Sequence, residues 1–184
     1  MYKYAVFCIA VAFFAWQALS AEAELEKMAV EEEPPAPAIV EVAPTPKVVT
    51  ESVLELDREL ELYINECAEE YGLDAVLVRA VIYVESRGVI NADNGQCYGL
   101  MQLNTAYKDT FMEGAGVNSI TNARDNIKAG CWWLSELMEW AQGDETLAVA
   151  AYNLGQTGAK AVGGKSQYAA RVEAAKELFI ESEN

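Results

Sequence analysis

The chain has 184 residues, a formal net charge of −16, hydrophobic residues at 52% and no histidine. That apolar supply is enough for one real core, with room left over for a leader and a linker. The negative charge excludes Lys- and Arg-driven capture of nucleic acid or another polyanion, and the missing histidine excludes Ser-His-Asp and Cys-His nucleophile systems and His-containing zinc sites.

Residues 1–21 carry one early charge, Lys3, and then an apolar run from Tyr4 to Trp16. Two small-x-small sites follow, Ala18-Leu19-Ser20 and Ala21-Glu22-Ala23. The segment reads as a secretory signal peptide. An uncleaved membrane anchor is the alternative, because the run approaches the roughly 18 apolar residues that begin to suggest a span. Either reading implies export, to the periplasm or the cell envelope, with a membrane tether in the second case. Residues 22–51 hold eight Glu, two Lys and all five prolines of the chain. Such a stretch buries no core and favours extended states, so it is expected to be a disordered acidic linker. The folded domain is then residues 52–184.

From Ser52 onward there is no proline and the pattern turns helical. Leu56, Leu60, Tyr63, Ile64, Cys67 and Tyr71 share one helical stripe, which Gly72 ends. Asp74 caps the next helix, Ala75 to Ser86, which is apolar on nearly every side and is expected to be the buried central one. Residues 88–99 are rich in Gly, Asn and Asp and read as a loop. A helix around Asn122 to Ala141 places Ile127, Cys131, Leu134, Leu137 and Met138 on one face. Another begins after Asp144 and ends near Asn153-Leu154-Gly155. Ser166 caps a last helix with Tyr168, Val172, Ala175 and Phe179 in line. No strand pattern stands out, so the expected fold class is mainly α.

The side chains left for acid–base work are Glu, Asp, Tyr and Lys, which makes carboxylate chemistry on a sugar a leading class. Glu85 is the candidate. It sits at the end of the apolar helix, where loss of water raises a carboxyl pKa and the negative end of the helix dipole pushes the same way. A carboxylic acid that keeps its proton near neutral pH is what protonating a glycosidic oxygen requires. The bland alternative is a solvated glutamate at a helix tip.

Four short motifs stand in order: Glu85-Ser86, Gly99-Leu100-Met101-Gln102, Ala151-Tyr152-Asn153-Leu154-Gly155, and Tyr168. In this order and at these separations the sequence resembles the soluble-lytic-transglycosylase (SLT) domain family of lysozyme-like enzymes. The resemblance spans Glu85 to Tyr168, most of the folded part. It implies a lysozyme-like helical domain of the goose-lysozyme/SLT type that cleaves the glycan strands of peptidoglycan. It implies Glu85 as the single catalytic acid/base. Ser86 would hydrogen-bond to Glu85 or to substrate, and Gly99 would permit a close turn. Met101 and Gln102 would be cleft residues near the scissile bond, Tyr152 and Asn153 the far cleft wall, and Tyr168 would aim its hydroxyl at Glu85. Leu100, Met101 and Ala151 are equally natural as core.

The reaction so implied is non-hydrolytic. Glu85 protonates the oxygen leaving muramyl C1, the muramyl N-acetyl group stabilises the positive centre, and the C6 hydroxyl closes on C1 as Glu85 takes its proton. A 1,6-anhydromuramyl end results and no metal or cofactor takes part. A goose-type hydrolase using water and a catalytically idle wall-binding or assembly subunit are the alternatives. An envelope-spanning assembly as partner is compatible with both.

Removal of a leader would leave Cys67, Cys97 and Cys131. Export favours a disulfide, and the packing of related folds implies Cys97–Cys131, with Cys67 free and buried. Trp132, Trp133 and Trp140 cluster on one helix, where large aromatics serve as core more often than as sugar platforms.

Overall fold

The computed structural model describes Leu54 and residues 56–182. The expected leader (residues 1–21) and linker (residues 22–51) both lie outside those residues. The described part is a packing of six α-helices: α1 Arg58–Tyr71, α2 Ala75–Ser86, α3 Lys108–Ala115, α4 Ala123–Trp140, α5 Glu145–Ala161 and α6 Gln167–Ser182. Two short strands, β1 Cys97–Tyr98 and β2 Leu103–Asn104, pair antiparallel between α2 and α3. The mainly α class is therefore observed. Among the described residues no helix is long and apolar enough to cross a membrane.

Local chemistry sets the boundaries. Asp57 accepts the Leu60 amide at 2.8 Å, Asp74 accepts the Val76 amide at 2.8 Å, Asn122 accepts the Arg124 and Asp125 amides, and Asp144 accepts the Leu147 amide at 3.0 Å. Each satisfies a helix N-terminal donor that would otherwise lack a partner. The Ser166 hydroxyl accepts the Ala169 amide at 3.0 Å and starts α6. Gly72, at φ 65°, closes α1 through amide bonds back to Ala68 and Glu69.

Helix α2 is the centre of the fold. Leu77, Val78, Ala80, Val81 and Ile82 are fully buried, and its most extensive packing is against α6. Burying a Leu, Val or Ile side chain stabilises by about 1.5–3 kcal/mol. Several such side chains on one helix outweigh the cost of drawing one carboxyl out of water at its end. Helix α2 stops at Arg87, which takes a left-handed conformation with φ 55° and lays its guanidinium 4.1 Å from the Tyr83 ring centroid.

Three sequence expectations are corrected. Residues 108–115 form a helix where none was expected, followed by Gly116 at φ 65°. Helix α5 breaks at Gly155, where its end was expected, but a second helical stretch that was not expected follows. Gly155 has φ 69° and ψ 167°, and helix resumes to Ala161. The third concerns sulfur: Cys67, Cys97 and Cys131 are all free thiols, so the Cys97–Cys131 bridge is absent. The phase of α4 explains this. Cys131 is fully buried facing α1, where its thiol shares a hydrogen bond with Cys67 that, together with burial, pushes the Cys131 thiol up. Cys97 instead borders the cleft beside Glu85. Alkylation of the unfolded, unreduced protein should therefore label Cys97 fully. Recovery of a peptide pair linked through Cys97 and Cys131 would contradict this packing.

Candidate active site

Glu85 is the penultimate residue of α2. The Tyr168 hydroxyl, from α6, donates to its Oε1 at 2.6 Å across 83 residues of sequence. Burial pushes the Glu85 carboxyl up to about 7, against the opposing pull of the Tyr168 hydrogen bond and of the Arg171 guanidinium. Burial wins because water is the better solvent for a carboxylate than one phenol and one exposed cation. Burial and the facing carboxyl in turn push the Tyr168 hydroxyl well above its ordinary range, so it stays a donor.

The cleft at Glu85 is lined by Cys97, Gln102, Leu103, Asn104, Phe111, Trp133, Tyr152 and Asn153. Glu85 is the one carboxylate among these residues. A larger groove of about 720 Å³ lies elsewhere, between the starts of α5 and α6, and is bordered by the Lys176–Glu145 ion pair. Size alone would place the site there, but Lys176 in that groove is held in ion pairs with Glu145 and Glu173. Lys176 is simply an ion-paired lysine, raised by Glu145 and Glu173 against burial. Among the described residues no group of three or more Cys, Asp or Glu side chains gathers as a metal site.

The residues singled out in the sequence take distinct places. Gln102, Tyr152 and Asn153 line the cleft beside Glu85. Asn153 is exposed. Gln102 adopts φ 46° and spends both amide protons on the Ala92 and Gly99 carbonyls, at 3.0 and 2.9 Å, while its oxygen accepts from Asn94 at 3.1 Å. It therefore clips the loop 92–102 together as well as facing the groove. The Tyr152 hydroxyl donates to the Met101 carbonyl at 2.9 Å, and its ring lies within 5° of parallel to that of Tyr168. Gly99 has φ +84°, and an added Cβ there would lie 2.4 Å from the Asn126 amide.

Two side chains turn away. Met101 is fully buried and points at Gly130, so only its backbone serves the cleft wall. Ser86 is buried, and its hydroxyl donates to the Ile82 carbonyl one turn back at 3.2 Å, not to Glu85. The sequence reading passed over Phe111 and Arg171 and placed Trp133 with the core. Arg171 donates to the Val84 carbonyl at 3.2 Å. Its place one turn beyond Tyr168 on α6 is a signal that could have found it.

The sequence profile of the Transglycosylase SLT domain matches residues 62–174. The chain belongs to the transglycosylase SLT domain family. All the site residues above fall inside the matched region. Among solved structures, the X-ray structure of an inactive Glu-to-Gln mutant of the lytic transglycosylase Slt from Pseudomonas aeruginosa is similar, at a TM-score of 0.59 and 20% identity. The match covers 64% of this chain and 23% of that one, so this SLT-family chain spans under a quarter of the length of its structural relative. At that identity the likeness establishes the shared lytic transglycosylase fold.

The raised Glu85 carboxyl has a stability consequence whose sign is fixed. The folded protein holds this proton more tightly than the unfolded chain does. The stability it contributes is complete below about pH 4.5 and is lost as pH rises through about 7. Glu85→Gln removes the charge that becomes costly. Its unfolding free energy should match the wild type at pH 4 and exceed it at pH 8, by an amount on the order of 2 kcal/mol. Calorimetry showing equal melting at both pH values would mean that Glu85 is not desolvated.

Proposed function

We propose that this protein is an exported peptidoglycan lytic transglycosylase that cleaves the bond between N-acetylmuramyl and N-acetylglucosaminyl residues and leaves a 1,6-anhydromuramyl end. The observation that carries this reading is the Tyr168–Glu85 pair: a carboxyl raised to about 7, oriented by a phenol at 2.6 Å, in a cleft with no other carboxylate among its lining residues. Two-carboxylate glycosidases need an acid together with a nucleophile or base about 5–10 Å away. One carboxyl group suits a route in which the substrate supplies the nucleophile.

With Oε1 engaged by Tyr168, the transferable proton resides on Oε2. Glu85 gives it to the glycosidic oxygen as the bond to muramyl C1 breaks. The muramyl N-acetyl oxygen shields C1 from the opposite face. The carboxylate that remains is stabilised by the Tyr168 hydroxyl and by Arg171, and takes the proton of the C6 hydroxyl as that oxygen closes on C1. No water is consumed and Glu85 returns to its protonated form. Asn153 and the polar edge of Gln102 face the groove where an N-acetyl group would lie, and Trp133 and Phe111 give it an apolar wall. The acidic surface fits a neutral, hydrogen-bonded sugar better than a polyanion. Export rests on residues 1–21 and a reach toward the wall on residues 22–51. The domain assignment from residue 52 onward is part of the same proposal.

Muropeptide analysis tests it. Wild type should release 1,6-anhydromuropeptides, and Glu85→Gln should lower that release by at least about a thousandfold, within the range that general acid–base groups supply. Products with reducing ends alone would mean hydrolysis by water. Equal release by the variant would remove Glu85 from the chemistry. The kcat/KM of wild type should fall along an alkaline limb with its midpoint near 7, because the proton to be donated is lost there. Arg171→Ala should move that limb to higher pH, since the guanidinium draws the Glu85 carboxyl down.

A further inference from the structure

Asn126 is a polar side chain in the first turns of α4, and it is 1% exposed. Its amide is fully occupied. Oδ1 accepts the Met101 amide at 2.9 Å, and Nδ2 donates to the Tyr98 carbonyl at 3.0 Å and the Ile120 carbonyl at 2.8 Å. Gly99 passes directly over it, in the left-handed conformation and too close for any Cβ. One turn further along α4, Gly130 leaves the space that the Met101 side chain fills, since a Cβ there would lie 2.2 Å from the Met101 sulfur. Asn126 and Gly130 together form a seat for the segment from Tyr98 to Met101.

That seat is connected to the reactive carboxyl. Asn126 holds the Met101 N–H, and the same residue's carbonyl accepts the Tyr152 hydroxyl at 2.9 Å. The Tyr152 ring lies parallel to the Tyr168 ring with centroids 6.5 Å apart. The Tyr168 hydroxyl donates to Glu85. Every link is a directional hydrogen bond or an aromatic stack, so a shift at one end is carried to the other.

We infer that Asn126 is a positioning residue for Glu85, acting through the Met101 peptide, the Tyr152 ring and the Tyr168 hydroxyl. An apolar residue of similar size would fill the same volume but could not hold the Met101 peptide, because a buried amide fixes its partners only through bond direction. Asn126 touches no substrate atom in this scheme. Its kinetic consequence rests on the function proposed above, whereas its effect on the ionisation of Glu85 does not.

The test uses the full chain carrying Asn126→Ala, Tyr152→Phe and the pair together, with folding checked by circular dichroism. The Glu85 carboxyl is titrated by carbon NMR without substrate, and kcat and KM are measured on purified peptidoglycan. Either single substitution should move the Glu85 midpoint upward, because a loosened Tyr168 contact no longer draws it down. Each should lower kcat by about 10- to 100-fold, the scale of an ångström-sized misplacement, with KM changed far less. The double variant should be no worse than the more damaging single one, as expected for links in series. An unchanged midpoint in folded Asn126→Ala, or in Tyr152→Phe, overturns the inference, and so do effects that add in the double variant. Asn126→Ser replaces the alanine variant if that does not fold. A wild type inert on peptidoglycan would defeat the proposed function, while the titration would still decide the role of Asn126.

Discussion

The hydrogen bond from Tyr168 to Glu85 is the contact on which the architecture converges. Two demands meet there. The carboxyl must be dry enough to keep its proton near neutrality, and it must be held at one angle. Water would satisfy neither. The apolar body of α2 supplies the dryness and α6 supplies the phenol, and the close packing of these two helices keeps both in place. Arg171, on the same helix as Tyr168, tempers the effect so that the carboxyl rises to about 7 and no further. A group so balanced can give a proton and take one back under the same conditions, which a one-carboxyl mechanism demands.

The wall opposite α2 obeys a different rule. It is built from backbone. The segment from Tyr98 to Gln102 presents carbonyls and amides whose partners are side chains: Asn126 from α4, Tyr152 from α5 and the loop's own Gln102. Backbone polar groups buried without partners are costly, so each of these side chains secures the loop as well as shaping the groove. This explains why a glutamine at positive φ and a glycine at φ +84° stand within four residues of each other. The turn is tight, and the hydrogen bonds around it over-determine its shape.

Much of the fold was legible in the sequence, for reasons that also mark where legibility stops. Helices α1, α4 and α6 announce themselves through an apolar stripe, α2 through an almost wholly apolar surface, and all four through a capping residue, which are local features. Helix α3 and the two-residue strands do not, since eight and two residues are too few for a periodic pattern and their form is set by what they pack against. Gly155 was legible as a break but not as a kink, because a glycine cannot say whether helix resumes beyond it. The cysteines show the same limit. Three thiols permit three pairings, and only the phase of α4 reveals that Cys131 faces Cys67. Within the site, Glu85 and Tyr168 could be placed from motif order, and Gln102, Tyr152 and Asn153 as neighbours of the groove. That Met101 and Ser86 point inward, and that Asn126, Phe111, Trp133 and Arg171 gather around the site, required side-chain directions that linear spacing does not carry.

The span between the two partners has a further meaning. Glu85 and Tyr168 stand 83 positions apart, with the phenol on the last helix of the described chain. During synthesis the carboxyl emerges long before the helix that tunes it. Until α6 docks, the end of α2 lies open to water and Glu85 ionises as an ordinary glutamate, a poor acid at neutral pH. A nascent or C-terminally clipped chain therefore lacks the protonated carboxyl that the folded domain holds near neutral pH. Completion of the last tertiary contact is what secures that proton.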